Sequence, residues 1–186
     1  ETPGFIIATK NLFNDGLLTE QYYNKVVANS EKIESIIDYD RDYHFDYFAL
    51  TTLIRAYLLR FENKTTERPQ DLWMRVALTV SCDSFDYDKV KKTYDALSNG
   101  YYTHATPTLF NSGLKMQQLS SCFLIGMEDD SIEGIFNTIK DCALISKTAG
   151  GIGLHAHNVR GSGSRIKSTN GKSNGLIPFL KIFNET

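Results

Sequence analysis

The chain has 186 residues, enough for one domain or for one domain and a further piece, and enough to bury a hydrophobic core. Hydrophobic residues make up 41% of it and charged residues 23%, and 20 basic against 22 acidic side chains leave a net charge of -2. These globular values exclude a disordered tail and predict neither a nucleic-acid partner nor a membrane surface. No stretch resembles the run of about 20 apolar residues that crosses a membrane, so we expect a soluble protein.

The cysteines favour a reducing, cytoplasmic location. Cys82, Cys122 and Cys142 are too few and too scattered for a secreted disulfide framework, and no Cys/His cluster predicts structural zinc. The chain opens on Glu1 without a methionine or a signal segment and stops in a stretch that reads as helix. We therefore expect a piece of a longer protein.

Residues 1–100 read as a helical region. Only two of the 13 glycines precede position 100, and apolar residues recur at three- and four-residue spacings. This spacing predicts helices over residues 18–37, 47–61, 68–80 and 87–97. An extended, proline-fixed connection is predicted over residues 103–110.

Residues 101–186 alternate between strands and helices. The short apolar run 119–127 predicts a buried strand, and a second strand is expected over 152–159. Between them, Asp130 as N-cap and Glu133 predict the start of a helix that carries one apolar face. The residues expected on that face are Ile132, Ile135, Phe136, Ile139, Ala143 and Ser146. A Gly/Ser-rich loop over 160–174 then leads to a helix over 175–184.

Positive charge concentrates around that loop. Residues 140–172 contain six basic side chains and one acidic side chain, Asp141. Bare amides and small side chains let an anion approach closely, so phosphate is the obvious ligand. The alternative is an ordinary solvated surface.

Cys122 is the candidate catalytic residue. A cysteine in the middle of a strand is often only a small buried hydrophobic residue. A redox role through disulfide formation needs a second thiol. Cys142 is the candidate within the chain, although its helical position favours the core, and Cys82 is weaker still. His155 and His157 alternate like a metal pair, but no third ligand stands at a convincing spacing, so no metal is predicted.

Taken together, the motifs resemble the large subunit of a class I ribonucleotide reductase, in its eukaryotic and viral form. The resemblance rests on HATPTLFN (104–111), QLSSCFL (118–124), DDSIEGI (129–135), SKTAGGIG (146–153), TNG (169–171) and SNG (173–175). It covers nearly the whole chain and identifies it as an N-terminal-half fragment. The fold implied is α/β: a mainly helical N-terminal region packed on the opening strands and helices of a ten-stranded α/β barrel.

The resemblance implies reduction of ribonucleoside diphosphates by a thiyl radical. The radical removes the 3' hydrogen of the ribose, and a cysteine pair is oxidised to a disulfide as the 2' hydroxyl leaves as water. Cys122 matches one member of that pair, while Thr106, Ser121 and Gly151 match groups that contact the substrate. The partner thiol and the radical cysteine are expected beyond Thr186, so the isolated chain is expected to be inactive.

The resemblance also implies allosteric control by ATP, dATP, dTTP or dGTP, with Mg on the triphosphate. The matching effector-binding positions are Asp130, Ser131, Ile132, Lys147, Arg160, Lys167 and Ser168. The implied partners are a second copy of the large subunit, a di-iron small subunit that supplies the radical, and thioredoxin or glutaredoxin as reductant. The small ATP-binding cone of many members is not in this chain.

Two other functions remain open at this point. One is a noncatalytic nucleotide- or phosphate-binding module in which Cys122 is only a core residue. The other is a thiol oxidoreductase that uses Cys122 and Cys142, which requires their Cα atoms within about 7 Å.

Overall fold

The computed structural model describes residues 2–81 and 83–185, and the chain divides between Leu119 and Ser120 into two compact units. Cys82 lies outside the described residues. The elements of the first unit are α1 (Phe5–Asn14), α2 (Glu20–Ala28), α3 (Ser30–Glu34), a 3-10 helix (Tyr39–His44), α4 (Tyr47–Thr52), a π-helical turn (Leu53–Tyr57), β1 (Arg60–Phe61), β2 (Lys64–Thr65), α5 (Pro69–Val80), α6 (Tyr87–Ser98) and α7 (Thr106–Asn111).

Helix α5 forms the centre of the first unit. It is buried from Pro69 to Leu78, and its side chains pack with Val90 and Tyr94 of α6 in one hydrophobic core. Pro69 lies in the first turn, where the missing N–H costs no helical hydrogen bond. Gly100 takes a left-handed backbone just past the end of α6. The helices predicted over 68–80 and 87–97 are thus confirmed.

A buried ion pair lies in the same core. Arg75 of α5 is 1% exposed, and its Nε lies 2.6 Å from Oε1 of Glu67, which is 3% exposed. The Nη1 of Arg75 also donates to the carbonyl oxygens of Leu109 and Ser112, at 3.2 and 2.8 Å. Buried charges need hydrogen-bond partners, and Arg75 finds them in these carbonyls. The Arg75 side chain therefore links α5 to α7 and its C-cap.

The other two helices predicted in this unit are interrupted. Residues 18–37 form α2 and α3, which are separated at Asn29, while Leu18 makes an isolated antiparallel bridge to Leu114. Residues 47–61 form α4, the π-helical turn and β1, because the chain turns back through Glu62 and Asn63, both at positive φ. Helix α1 was not predicted, although Phe5, Ala8 and Leu12 bury one face at helical spacing.

The segment predicted as an extended connection is helical from Thr106 onward. Residues 106–111 form α7, with Pro107 in its first turn, where proline is tolerated. Leu109 joins the hydrophobic core of the first unit. The chain divides into its two compact units after Leu119, whereas the glycine usage placed the predicted boundary at residue 100.

The second unit contains a strand–helix–strand unit followed by a hairpin and a last helix. Its elements are β3 (Cys122–Gly126), α8 (Ile132–Ser146), β4 (Gly151–His155), β5 (Arg165–Ile166), β6 (Gly171–Lys172) and α9 (Ile177–Glu185). Strands β3 and β4 pair in parallel, and β5 and β6 pair in antiparallel. The predicted strands and helices are present and are shorter than predicted, with β4 beginning one residue earlier and α9 ending one residue later than expected. The predicted loop 160–174 contains the β5–β6 hairpin.

The strand pair β3–β4 is covered on one face only. Side chains alternate, so that Phe123 and Ile125 are partly buried, whereas Leu124 is 94% exposed. The expectation of a buried strand is therefore wrong for the face of β3 that carries Leu124. The open face consists of Cys122, Leu124, Gly126, Gly151, Gly153 and His155.

Helix α8 differs from the prediction at its start and on its inner face. Ser131 is the N-cap, and its hydroxyl accepts a 3.0 Å hydrogen bond from the Gly134 amide, so Asp130 is not the cap. Ile135 and Cys142 are buried on the inner face. Ile132 and Phe136, which were expected inside, are 66% and 51% exposed.

Candidate functional site

The start of β3 brings Ser121, Cys122 and Gly151 together. Cys122 pairs in register with Gly151, and the Gly151 amide donates to the Ser121 carbonyl at 2.8 Å. The Ser121 hydroxyl donates to Cys122 Sγ at 3.6 Å. Strand alternation would place these two side chains on opposite faces, but Ser121 precedes the first strand residue and escapes the alternation.

Cys122 is a free and exposed thiol, so it is not a core residue. A Cβ at position 151 would lie 4.0 Å from its sulfur and 3.4 Å from the Ser121 carbonyl oxygen. Glycine at this position therefore leaves open space beside the sulfur, where a second molecule can approach. A hydroxyl donor next to the sulfur stabilises negative charge there.

Cys142 differs from Cys122 in its surroundings. It is a free thiol buried on the inner face of α8. Burial, together with the neighbouring Asp141 carboxylate, raises the pKa of Cys142. Because the thiolate is the reactive form, a raised pKa and burial make Cys142 a poor nucleophile.

Thr106 belongs to the first unit, whereas the other three predicted substrate-binding residues belong to the second. It is the first residue of α7 and is half-buried. Its hydroxyl oxygen lies 3.3 Å from that of Tyr57, the last residue of the π-helical turn.

A cleft of about 860 Å³ in the second unit collects six of the seven predicted effector-binding residues. These are Asp130, Ser131, Ile132, Arg160, Lys167 and Ser168. Gly134 permits this arrangement, because a Cβ there would lie 2.7 Å from the Asp129 amide nitrogen. The loop that carries Asp130 is therefore packed directly on the first turn of α8.

Asp130 and Arg160 are bound to each other in this cleft. Arg160 Nε lies 2.5 Å from Asp130 Oδ2, and Arg160 Nη2 donates to the Asp130 carbonyl at 3.1 Å. Both side chains remain partly exposed, at 35% and 25%. The contact orients the carboxylate while leaving its other oxygen available.

The cleft also contains cations beyond the predicted effector-binding residues. Arg165 and Lys172 occupy directly opposite positions in the β5–β6 hairpin, and both line the cleft with Lys167. Like charges directly opposite in a strand pair repel each other, and an anion between them relieves the repulsion. The basic composition of residues 140–172 was the signal for these residues, but only the hairpin register places them together.

Lys147 does not join the cleft. It is the C-cap of α8, at the opposite end of the helix from Asp130 and Ser131. A 15-residue helix is about 22 Å long, which is beyond the reach of a lysine side chain.

The two strand histidines form a stacked pair. The ring centroids of His155 and His157 lie 4.1 Å apart. Within residues 2–81 and 83–185, no three His, Cys, Asp or Glu side chains are grouped to hold a metal ion. Over the same residues, no helix is both long and apolar enough to cross a membrane.

Comparison with known proteins gives two family matches that follow each other along the chain. Residues 43–117 match the family described as ribonucleotide reductase, all-alpha domain, and residues 120–186 match ribonucleotide reductase, barrel domain. The two matches adjoin at the division between the compact units.

Curated relatives carry consistent names. The chain is 54% identical over 170 residues to "Ribonucleoside-diphosphate reductase large chain 2" of Saccharomyces cerevisiae, covering 91% of this chain and 19% of the relative. It is 53% identical to the ribonucleoside-diphosphate reductase large subunit of Plasmodium falciparum (isolate Dd2) and 50% identical to that of Arabidopsis thaliana, each covering 91% of this chain and 21% of the relative. The chain thus spans about a fifth of the length of these relatives.

Proposed function

The chain belongs to the ribonucleotide reductase large-subunit family, and we propose that it is the segment of a ribonucleoside-diphosphate reductase that carries one redox cysteine and the effector cleft. The whole enzyme would convert ribonucleoside diphosphates to deoxyribonucleoside diphosphates. The observation that carries this proposal is the exposed Cys122 thiol, with the Ser121 hydroxyl 3.6 Å from its sulfur and no side chain at Gly151.

Cys122 would serve as one of two electron donors. A thiyl radical takes the 3' hydrogen of the ribose, and Cys122 and a second thiol of the complete protein then form a disulfide. One of the two protons that they release leaves with the 2' hydroxyl as water when the C2'–O bond breaks. The other proton, with the two electrons, forms the new C2'–H bond. The 3' hydrogen then returns from the radical cysteine, which regenerates the thiyl radical.

The neighbours of Cys122 have roles in this proposal that follow from their chemistry. The Ser121 hydroxyl stabilises negative charge on the sulfur as its proton leaves. Gly151 admits the sugar close to the sulfur, because it adds no side chain to the open face of β3–β4. Thr106 contributes a hydroxyl to substrate binding.

The effector cleft would hold a nucleoside triphosphate, namely ATP, dATP, dTTP or dGTP with its Mg. Asp130 is the sole carboxylate among the described residues that line the cleft, and it is paired with Arg160. Lys167, together with Arg165 and Lys172, therefore supplies positive charge for the phosphates. The oxygen of Asp130 not bound by Arg160 can accept a bond from the sugar, while Ser131, Ile132 and Ser168 complete the lining.

A homodimer would bring Lys147 to this cleft. Ile132, Phe136 and Leu144 leave exposed apolar surface along α8. Because a two-fold axis matches the same surface on both copies, two α8 helices that pack in antiparallel place the C-terminal end of one beside the N-terminal end of the other. The Lys147 of one copy would then reach the Asp130 cleft of the second.

The remaining parts of the proposal come from the family. The fold of the complete protein would be a ten-stranded α/β barrel that pairs the open edges of β3 and β4. The radical would come from a separate di-iron small subunit, and thioredoxin or glutaredoxin would restore the dithiol. The enzyme would act in the cytoplasm.

Replacement of Cys122 tests this function. In the full-length protein, Cys122→Ser should abolish turnover of a ribonucleoside diphosphate, because serine cannot form the disulfide. Effector binding should be nearly unchanged, since Cys122 does not line the cleft. Cys142→Ala is the matched control and should retain turnover; normal activity in Cys122→Ser would overturn the proposal.

A further inference from the structure

The hydroxyls of Tyr57 and Thr106 form a side-chain pair in the first unit, with 3.3 Å between the two oxygens. Both residues are half-buried, so the pair is anchored in the protein and still accessible from outside. Thr108, two residues after Thr106, differs, because its hydroxyl donates to the Leu119 carbonyl and serves local structure. Thr106 instead relies on another side chain for its orientation.

The ring of Tyr57 is held on the same face of α7 as Thr106. Its centroid lies 4.9 Å from that of Phe110, which is one helical turn after Thr106. Tyr57 ends the π-helical turn Leu53–Tyr57, in which the Leu58 amide donates to the Leu53 carbonyl at 3.0 Å. Such turns are frequent at functional sites, since the inserted residue redirects a side chain.

Hydroxyl chemistry sets the direction of the hydrogen bond. The contact allows either hydroxyl to donate, and we take Tyr57 as the donor to Thr106 Oγ1, because a phenol is far more acidic than an aliphatic alcohol. The Thr106 proton is then free to be donated elsewhere. A nucleoside diphosphate offers ribose and phosphate oxygens as acceptors for it.

We propose that Tyr57 is a positioning residue for substrate binding, which orients the Thr106 hydroxyl as a hydrogen-bond donor to the ribonucleoside diphosphate. This inference rests on the proposed function, since it takes Thr106 as a substrate contact. Tyr57 acts through Thr106 and does not itself touch the reacting atoms.

Steady-state kinetics of the full-length enzyme with its small subunit, using CDP at saturating effector, tests the inference. Tyr57→Phe keeps the ring on Phe110 and removes only the hydroxyl. It should raise KM about 3- to 10-fold, the value of one hydrogen bond, with kcat within about 2-fold. In a Thr106→Val background, Tyr57→Phe should not raise KM further. In a Thr106→Ser background, which retains the hydroxyl, Tyr57→Phe should still raise KM.

Tyr94→Phe is the matched control. It removes another tyrosine hydroxyl of the first unit, one that donates to Gln70 inside the core, and should lower thermal stability without changing KM. If Tyr57→Phe behaves like Tyr94→Phe, or raises KM equally in the Thr106→Val background, the inference is overturned.

The two proposals fail in different ways. An unchanged KM in Thr106→Val removes Thr106 from the substrate site and overturns the role of Tyr57, while the Cys122→Ser result decides the reductase function independently. If Tyr57→Phe does not fold, Thr106→Ser and Thr106→Val alone still decide whether an oriented hydroxyl matters, since equal KM values in the two variants overturn the inference.

Discussion

Arg160 Nε lies 2.5 Å from Asp130 Oδ2, so two of the predicted effector-binding residues are bound to each other. The arginine orients the carboxylate, and the carboxylate neutralises one cation of the cleft. Effector affinity should therefore depend on the pair and not on two independent contacts.

This coupling is measurable in the full-length protein by calorimetric titration with dTTP and dGTP. Arg160→Ala should weaken affinity about 10- to 150-fold, the value of the charge-assisted hydrogen bond that it removes from Asp130, because the unpaired carboxylate then repels the phosphates. Asp130→Asn should weaken affinity less, since the amide keeps an acceptor oxygen. The double variant should lose less binding free energy than the two single losses combined. Arg55→Ala, which changes an exposed arginine of the first unit, is the control. Unchanged affinity in Arg160→Ala would assign the basic loop to solvated surface.

The exposed apolar face of α8 should form the contact through which the full-length protein dimerises. Phe136→Asp places a charge on a side chain that is 51% exposed in this structure, and it should weaken effector-promoted dimerisation at least about 10-fold, because burying an unpaired charge is costly. Asn137→Asp adds the same charge at the next exposed position and should have little effect. Sedimentation of the full-length protein with dTTP measures both. A strictly monomeric protein that still responds to effectors would contradict the prediction.

Breaking the buried pair of the first unit should destabilise α5. Glu67→Gln leaves the buried Arg75 guanidinium without a countercharge and should cost about 3 kcal/mol, which corresponds to roughly 100-fold faster hydrogen exchange of the α5 amides. Glu34→Gln removes a charge from an exposed position and should change exchange little. Equal exchange rates in the two variants would show that the pair contributes no stability.

Asp71 should make the stability of the first unit depend on pH. Burial raises the pKa of Asp71 to about 7, against the hydrogen bonds from the Arg68 amide and the Tyr39 hydroxyl, which lower it. The folded state therefore binds a proton that the unfolded state releases above about pH 4. The stability contribution of this proton is complete below pH 4 and is lost as the pH rises to 7, by up to about 1.4 kcal/mol per pH unit.

Thermal unfolding between pH 5 and 8 measures this loss. In Asp71→Asn, which cannot ionise, the decline should be smaller than in the parent protein. Glu34→Gln serves again as the exposed control and should retain the decline. An identical pH profile in Asp71→Asn would show that Asp71 does not titrate in this range.

The sequence by itself determined the family, the helices α5 and α6 and the strand–helix–strand order of the second unit. Local sequence patterns were enough to predict α5 and α6, because the spacing of apolar residues and the flanking Pro and Gly act within a few residues. The ordered motifs carried the family resemblance, and that resemblance predicted roles for Cys122 and the Asp130 segment before any geometry was known. The confirmed family matches reflect this local information.

Only the tertiary structure decided which side chains meet and which faces are covered. The Asp130–Arg160 pair, the Arg165–Lys172 register and the Tyr57–Thr106 contact join residues that are distant in sequence or related only by strand pairing. The exposed side of α8 was mispredicted because the spacing of apolar residues along a helix does not show which of them pack on the core. Hydrophobic patterning measures how apolar a face is, and packing decides what covers it.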